Sequence, residues 1–205
     1  MTTNRGPSPW LMLAALAAVV AVAAALGAVQ SPSGAEQARQ GLHSAAQATL
    51  RASGYTEDFK QTVPQGTEEL HLVYQAPGRL SGYQLIAGRR LYVSADSSRF
   101  YQGIAGPSAS GPAGARYVAQ PSRPAAAIDP VQQVLGVVLR ATDVKRAGNV
   151  YSFVVPGFGR FSVTVTGPYA TSVVLHTAGG SIALDVSRID SSPPAFVPSG
   201  SLLVG

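Results

Sequence analysis

Residues 150–188 read VYSFVVPGFGRFSVTVTGPYATSVVLHTAGGSIALDVSR, and this stretch decides the class of fold. Apolar and polar residues alternate in it with a period of two, most clearly over 161–166. Glycine-containing turns interrupt the alternation at spacings that are typical of hairpins. The pattern therefore predicts four consecutive antiparallel strands with one apolar and one polar face, over 150–156, 160–166, 171–177 and 181–188.

The same period of two occurs earlier in the chain. It begins near Phe59, and short Gly or Pro turns again separate the alternating segments. These segments predict a first antiparallel meander with strands at 69–74, 83–87, 90–94 and 99–102. The Gly- and Pro-rich segment 103–114 predicts a long surface loop after it.

Two helices are predicted, one before each meander. Ser33 followed by Glu36 fits a capping box, and apolar residues then recur at helical spacing until Gly54. Asp129 and Pro130 open the second helix, with Asp129 as its N-cap and Gln132 completing the box. The order of elements predicts an α+β domain: a strongly curved antiparallel half-barrel sheet with helices on its concave apolar face.

Residues 10–29 form an uncharged apolar stretch of the length needed to cross a bilayer as a helix. Trp10 lies at one edge of it and Arg5 on the short side, which favours a cytoplasmic N-terminus. We expect one N-terminal transmembrane helix that acts as an uncleaved signal anchor. A cleaved signal peptide is the alternative, with a small-residue site at 25–27, and the protein would then be secreted.

The expected organisation follows from this anchor. Residues 1–9 form a short cytoplasmic N-terminus and 30–34 a linker, followed by a domain over 35–190 and a C-terminal tail over 191–205. In either case the domain lies on the extracytoplasmic side of the cell membrane. The absence of cysteine makes its folding there independent of redox conditions.

Composition and motifs exclude several classes of function. The net charge of +5 comes without a basic run interleaved with aromatic residues, so no nucleic-acid partner is expected. No cysteine and only three histidines leave little for a metal site, and no motif of a nucleophile, metalloprotease or phosphate loop occurs. The paired acids Glu57-Asp58 and Glu68-Glu69 are interpreted as solvated loop charges. We therefore expect no catalytic residue, no metal and no cofactor, and the protein is not an enzyme.

Several short motifs, in their serial order over 35–198, resemble the lipoprotein-carrier fold of actinobacterial envelope proteins, the LppX/LprG branch and its LolA-like relatives. They are FKQT at 59–62, LVYQAPGR at 72–79, GRRLYV at 88–93, IDP at 128–130, ATDV at 141–144 and GNVYSF at 148–153. The resemblance implies a cavity between sheet and helices that cradles the acyl chains of a lipid, glycolipid or lipoprotein. The residues expected to line this cavity are Leu70, Leu72, Tyr74, Leu85, Phe153, Phe161, Val163, Ile182 and Leu184.

One departure from the family is informative. The family's lipoproteins carry a lipidated cysteine after the signal, whereas this chain has none and offers residues 10–29 as an anchor instead. A fixed module suits lipid sensing, presentation or transfer at the membrane better than free shuttling. The alternative is a structural or interaction domain of an envelope protein complex without a small-molecule ligand. The tail over 191–205 would then contact a protein partner, although its apolar residues can also pack back onto the domain.

Overall fold

A computed structural model describes residues 33–86, 88–97, 99–104, 111–120 and 128–203. The first part of the described chain consists of a helix and a six-stranded meander. Their bounds are α1 (Ser33–Leu50), β1 (Gly54–Val63), β2 (Gly66–Gln75), β3 (Arg79–Ile86), β4 (Arg89–Ala95), β5 (Phe100–Ile104) and β6 (Arg116–Gln120). The expected membrane anchor at 10–29 lies outside the described residues.

The second part repeats this order of a helix followed by a meander. Its elements are α2 (Pro130–Val138), β7 (Lys145–Ala147), β8 (Val150–Val155), β9 (Gly159–Thr166), β10 (Tyr169–Thr177) and β11 (Gly180–Ser187). The four strands predicted over 150–188 are confirmed as β8 to β11. Neither helix of the described chain has the length and apolar character required to span a bilayer.

All eleven described strands belong to one antiparallel sheet in the order β6-β5-β4-β3-β2-β1-β11-β10-β9-β8-β7. Each meander is built from neighbours in the chain, and the two are joined by the pairing of β1 with β11, in which Phe59 faces Leu184. Since β6 and β7 stand at the two edges without pairing with each other, the sheet is open. This confirms the predicted α+β class with a large antiparallel sheet.

Strand alternation gives the sheet an inner face that carries the main core. The buried side chains on it belong to both meanders and form one continuous cluster with α1 and α2, for example Leu42 and Leu135 of the helices with Leu70 and Phe161 of the sheet. The helix α1 packs on β10, β9 and β7, and α2 packs on α1 and β11. The helices therefore lie on one face of the sheet, as predicted.

The start of α2 confirms its predicted N-cap and corrects its predicted capping box. The Oδ1 atom of Asp129 accepts a hydrogen bond from the backbone N–H of Gln132 at 3.1 Å, and Pro130 occupies the first helical turn. The side chain of Gln132 does not complete a box, because its Nε2 atom donates to the hydroxyl of Tyr55 at 3.3 Å. The cap thus connects the helix to β1.

The outer face carries a second, smaller cluster. It consists of Tyr92, Tyr101, Ala115 and Tyr117, and the C-terminal residues Phe196, Val197, Leu202 and Leu203 pack against it. The backbone N–H of Phe196 donates to Ser81 Oγ at 2.8 Å, and its carbonyl accepts from Ser94 Oγ at 2.6 Å. The described part of the tail therefore packs back onto its own domain.

The predicted strand ranges left out the central strand β1, although alternation was noted from Phe59, and two short edge strands. The strand β6 follows the expected loop over 103–114, of which 105–110 lie outside the described residues, and β7 precedes β8. Both strands are short and carry charged residues, Arg116 in β6 and Lys145 with Arg146 in β7. Such edge strands show little apolar alternation, which explains why the period of two did not reveal them.

Candidate functional site

Eight of the nine residues predicted to line a cavity lie on the inner face. Of these, Leu70, Leu72, Phe153, Phe161, Val163 and Leu184 are buried, and Tyr74 and Ile182 are half-buried against the same core. The rings of Phe153 and Phe161 stack with centroids 4.9 Å apart. These side chains therefore fill the space between sheet and helices by packing on one another and on α1 and α2.

The predicted position of the ninth residue, Leu85, was wrong. In β3 it pairs with Glu69 of β2 and Arg90 of β4, which places it on the outer face. The inner position of this strand belongs to Gln84, which is 3% exposed. The alternation misassigned the strand because its inward residue is polar and its outward neighbours, Tyr83 and Leu85, are apolar.

A groove of about 500 Å³ opens beside the inner face, at the end of the sheet where β8 turns into β9 and β10 turns into β11. It is lined by residues 154–159 and 177–179, which belong to the two turns and the strand ends that enter them. Its apolar side chains include Val155 and Phe158, and both pack against the main core. The groove therefore continues the apolar inner face to the surface.

A close approach of two backbones shapes this groove. Gly159 has φ +143°, and a Cβ atom there would collide with the carbonyl of His176 on the neighbouring strand. Gly180 has φ +151° and is equally close to the carbonyl of Thr62. Glycine at these positions lets adjacent strand ends meet without a side chain between them.

The groove residues were missed as a site because each turn, taken alone, is an ordinary hairpin. The segments 157–159 and 179–180 are indeed turns, as the sequence indicates. Only the register, in which Arg160 of β9 faces His176 of β10, brings the two turns side by side. That juxtaposition is a property of strand pairing, and spacing along the chain does not reveal it.

A second hollow of about 410 Å³ lies between α1 and the turns that flank β8 and β9. Its lining mixes small residues of the helix, such as Gly41 and Ala45, with the polar side chains of Ser44, Arg146 and Asn149. The guanidinium of Arg146 lies 5.3 Å from the ring centroid of Tyr151 and donates through Nε to the carbonyl of Gly148. This hollow is therefore more polar than the groove at the turns.

Two buried carboxyl groups meet where β1 contacts α2. Glu57 and Asp129 are both fully buried, and the hydroxyl of Tyr55 donates to Asp129 Oδ2 at 2.5 Å. The backbone N–H of Val131 donates to Glu57 Oε2 at 3.2 Å, whereas Glu57 Oε1 is buried without a hydrogen-bond partner. The interpretation of Glu57 as a solvated loop charge was wrong, because its strand position points inward.

Burial governs the protonation of this cluster. It is the main cause that raises the pKa of Glu57 well above its usual range, and the nearby Asp129 raises it further. Burial also raises the pKa of Asp129, although hydrogen bonds from Tyr55 and from the helix N-terminus oppose the rise. The pair therefore keeps a proton at pH values at which exposed carboxyls are ionised.

The histidines do not form a catalytic or metal-binding group. His71 faces the outer side of β2, where its Nδ1 atom forms a hydrogen bond with Asp58, and the exposed His176 lies near the end of β10. His43 Nε2 lies 3.2 Å from the carbonyl of Ala141. Among the residues that the structure describes, no three of His, Asp or Glu come together to hold a metal ion.

Comparison with known proteins gives matches among solved structures only. LprF from Mycobacterium bovis matches with a TM-score of 0.49 and 16% identity, over 83% of this chain and 99% of that one. The lipoprotein LppX of Mycobacterium tuberculosis matches with 0.49 and 11%, over 80% and 99%. An uncharacterised conserved protein of Thermus thermophilus matches with 0.43 and 8%, over 82% and 98%.

No family model matches the chain, and no curated protein matches it either. At these identities the likeness concerns the fold alone, so the chemistry of the groove has to come from this chain's own residues. LppX, which the resemblance drawn from the sequence names, is among these structures.

Proposed function

We propose that this domain binds an acyl chain of a lipid, glycolipid or lipoprotein at the open end of a half-barrel sheet, as a module held at the extracytoplasmic side of the membrane by residues 10–29. The observation that carries the proposal is the groove between the two hairpin turns. It is open to solvent, and it is continuous with the core through Val155 and Phe158.

The size and chemistry of the groove suit an apolar chain. Its volume of about 500 Å³ is open to solvent on one side, so it would cover part of an acyl chain rather than enclose it. Each methylene that leaves water contributes about 0.8 kcal/mol, so a few methylenes in contact with Val155, Pro156 and Phe158 give useful affinity. The side chains of the lining offer no carboxylate that would oppose an apolar or anionic ligand.

The interior next to the groove is filled by side chains. The residues first expected to line a cavity are already packed together, and six of them are 4% exposed or less. A longer chain could extend inward only if α2 moved away from the sheet. The groove is therefore the site of first contact in this proposal, and the helix is the element that would yield.

The competing function is an interaction domain without a small-molecule ligand, and the dense packing of the inner face favours it. Direct measurement of ligand retention separates the two. The full chain, purified in detergent and mixed with a fluorescent fatty-acid analogue, should bind it with saturation. Binding should weaken by about tenfold or more in Phe158→Asp, because the new carboxylate would lose water on contact with an acyl chain at this half-buried lining position.

A matched control is Val150→Asp, which places the same charge at an exposed valine in the turn between β7 and β8, at the other end of the sheet. It should bind the analogue as the unchanged chain does. Equal binding by both variants, or no binding by the unchanged chain, would exclude the groove as an acyl site and favour the interaction domain.

A further inference from the structure

The two ends of the sheet differ in their carboxylates and in the exposure of their apolar side chains. Strand register places four hairpin turns at the same end of the sheet. They join β1 to β2, β3 to β4, β8 to β9 and β10 to β11. The pairs that show this are Thr62 with Thr67 and with Ser181, Ile86 with Arg89, and Val155 with Gly159. We call these turns together the rim. It consists of residues 62–67, 86–90 without Ala87, 154–160 and 176–181.

The rim carries cations without carboxylates. Arg89, Arg90 and Arg160 are exposed on it, and its described residues include neither Asp nor Glu. The nearest carboxylates along the chain follow the first turn. Of these, Glu69 pairs with Lys60 at 2.9 Å, and Glu68 is half-buried. The rim therefore presents a positive surface that its own strands do not neutralise.

The rim also exposes apolar side chains. Val154 is 60% exposed and Ile86 is 41% exposed, which makes them the two most exposed large apolar residues of the described chain. They stand beside Arg160 and Arg89 respectively, and the exposed Pro156 and Ala178 extend the apolar surface at the turns. Apolar tips among arginines are the combination that binds an interface of acyl chains under anionic headgroups.

The opposite end lacks this combination. It carries the carboxylates Asp96 and Asp190. Asp96 accepts a hydrogen bond from the backbone N–H of Arg99 at 2.7 Å, and Asp190 accepts one from the backbone N–H of Ser53 at 2.7 Å. Of the exposed large apolar residues, only Val150 lies there, at 37%. Arginines occur at both ends, so the ends differ in their carboxylates and in the exposure of their apolar side chains, and not in the presence of cations.

We propose that the rim is a docking surface for a lipid bilayer with anionic headgroups, into which the exposed side chains of Ile86 and Val154 insert while the three arginines bind phosphates. The rim contains the residues that line the groove, so docking would place the groove at the membrane surface, but docking itself does not require an acyl chain in the groove. The proposal depends on the arginines, on the lack of carboxylates among the described rim residues, and on the presence there of the two most exposed large apolar side chains.

The experiment uses the full chain. Because the sequence contains no cysteine, a single introduced cysteine can be labelled specifically. Ala178 in the turn between β10 and β11 and Ala147 at the end of β7 are both exposed, and each is changed to Cys and labelled with an environment-sensitive fluorophore. The chains are reconstituted with vesicles of phosphatidylcholine alone or mixed with phosphatidylglycerol, each containing a nitroxide-labelled lipid. The anchor expected at residues 10–29 is present in both labelled proteins, so it cannot by itself cause a difference in quenching between the two probe positions.

We expect quenching of the probe at Ala178 in the mixed vesicles, little at Ala147, and less at Ala178 in phosphatidylcholine alone or at high salt. Equal quenching at both positions, or none at Ala178, would overturn the proposal. So would quenching at Ala178 that is indifferent to the anionic lipid, because the arginines would then have no role.

Charge variants test the arginines separately from net charge. The triple change Arg89→Gln, Arg90→Gln and Arg160→Gln should lower the docking equilibrium by roughly 100-fold, at about fivefold per arginine near an anionic surface. The control Arg51→Gln, Arg79→Gln and Arg99→Gln removes the same charge at the other end and should leave quenching at Ala178 unchanged. An equal loss in both would contradict the proposal, and binding of the fatty-acid analogue reports separately on the groove.

Discussion

Glu57 and Asp58 are neighbours on β1, and they stand in opposite environments. Glu57 points to the inner face, is 0% exposed and shares its surroundings with Asp129 and Tyr55. Asp58 points to the outer face, where it is exposed and bonds to His71. The carboxyl group is therefore buried and protonated at Glu57 and exposed to solvent at Asp58. Strand alternation explains the difference, because it directs neighbouring side chains to opposite faces of the sheet.

The comparison extends to the energetics of the two faces. The inner face is stabilised by close packing and by a hydrogen-bonded polar cluster without a described cation. The outer face between β1 and β2 carries exposed pairs such as Lys60 with Glu69. We expect stability to depend strongly on the first face and weakly on the second, since surface ion pairs contribute little.

The largest effect is expected from the packing of the inner face. Phe161→Ala should lower the free energy of unfolding by about 3–5 kcal/mol, because it removes a fully buried ring that stacks on Phe153. Chemical denaturation measures it. Arg160→Ala, one residue away on the outer face, should change the same quantity by about 0.5 kcal/mol or less. Similar losses in both variants would mean that the two faces are not distinct.

A smaller effect is expected from the buried polar cluster. Tyr55→Phe removes the donor to Asp129 Oδ2 and should cost about 1–3 kcal/mol, because a buried acceptor loses its partner. The ring itself remains stacked on Tyr74, with centroids 4.8 Å apart. Tyr74→Phe is the matched control, and denaturation should show it to be closer to the unchanged protein.

The pH dependence of stability sharpens the contrast between the two carboxyls of β1. Since the pKa of Glu57 is raised in the folded state, its stabilising effect is complete below its ordinary value of 4.5 and is lost as pH rises through the folded pKa. Stability should therefore fall with rising pH, by at most about 1.4 kcal/mol per pH unit for this group. Denaturation at a series of pH values should show a flatter profile in Glu57→Gln. An unchanged slope would mean that Glu57 is ionised in the folded protein.

The smallest effect is expected from the exposed pair on the outer face. Lys60→Gln should leave the denaturation midpoint within experimental error, and salt should not alter the difference, because solvent already screens the pair. A clearly lower denaturation midpoint in Lys60→Gln would mean that ion pairs on the outer face also stabilise the fold.

Sequence patterns predicted much of this fold because its strands alternate strongly and its second helix has a clear cap. The strands β8 to β11 and the cap at Asp129 were recognisable from adjacent residues. The patterns failed where a tertiary partner overrides local character. Gln84 turns inward although it is polar, and Glu57 is buried because the start of α2 supplies a hydrogen bond from Val131 N–H.

The groove was not predicted from the sequence, for the same physical reason. Eight of the nine residues expected to line a cavity do lie on the inner face, since alternation reports direction, but none of them lines the groove. Alternation does not report whether facing side chains leave a space between them or close it. The groove depends on the register that sets Arg160 against His176, and pairing partners are chosen by the whole sheet.

The pairing of β1 with β11 has a consequence for how the chain acquires its structure. Each meander consists of contacts between near neighbours in the chain, which form rapidly, whereas Phe59 must find Leu184 across a long intervening segment. During synthesis, one edge of β1 stays open until the last strand has emerged. We therefore expect two preformed half-sheets whose union is the slow step of folding, and an unfinished chain that exposes a hydrogen-bonding edge to any other strand it meets.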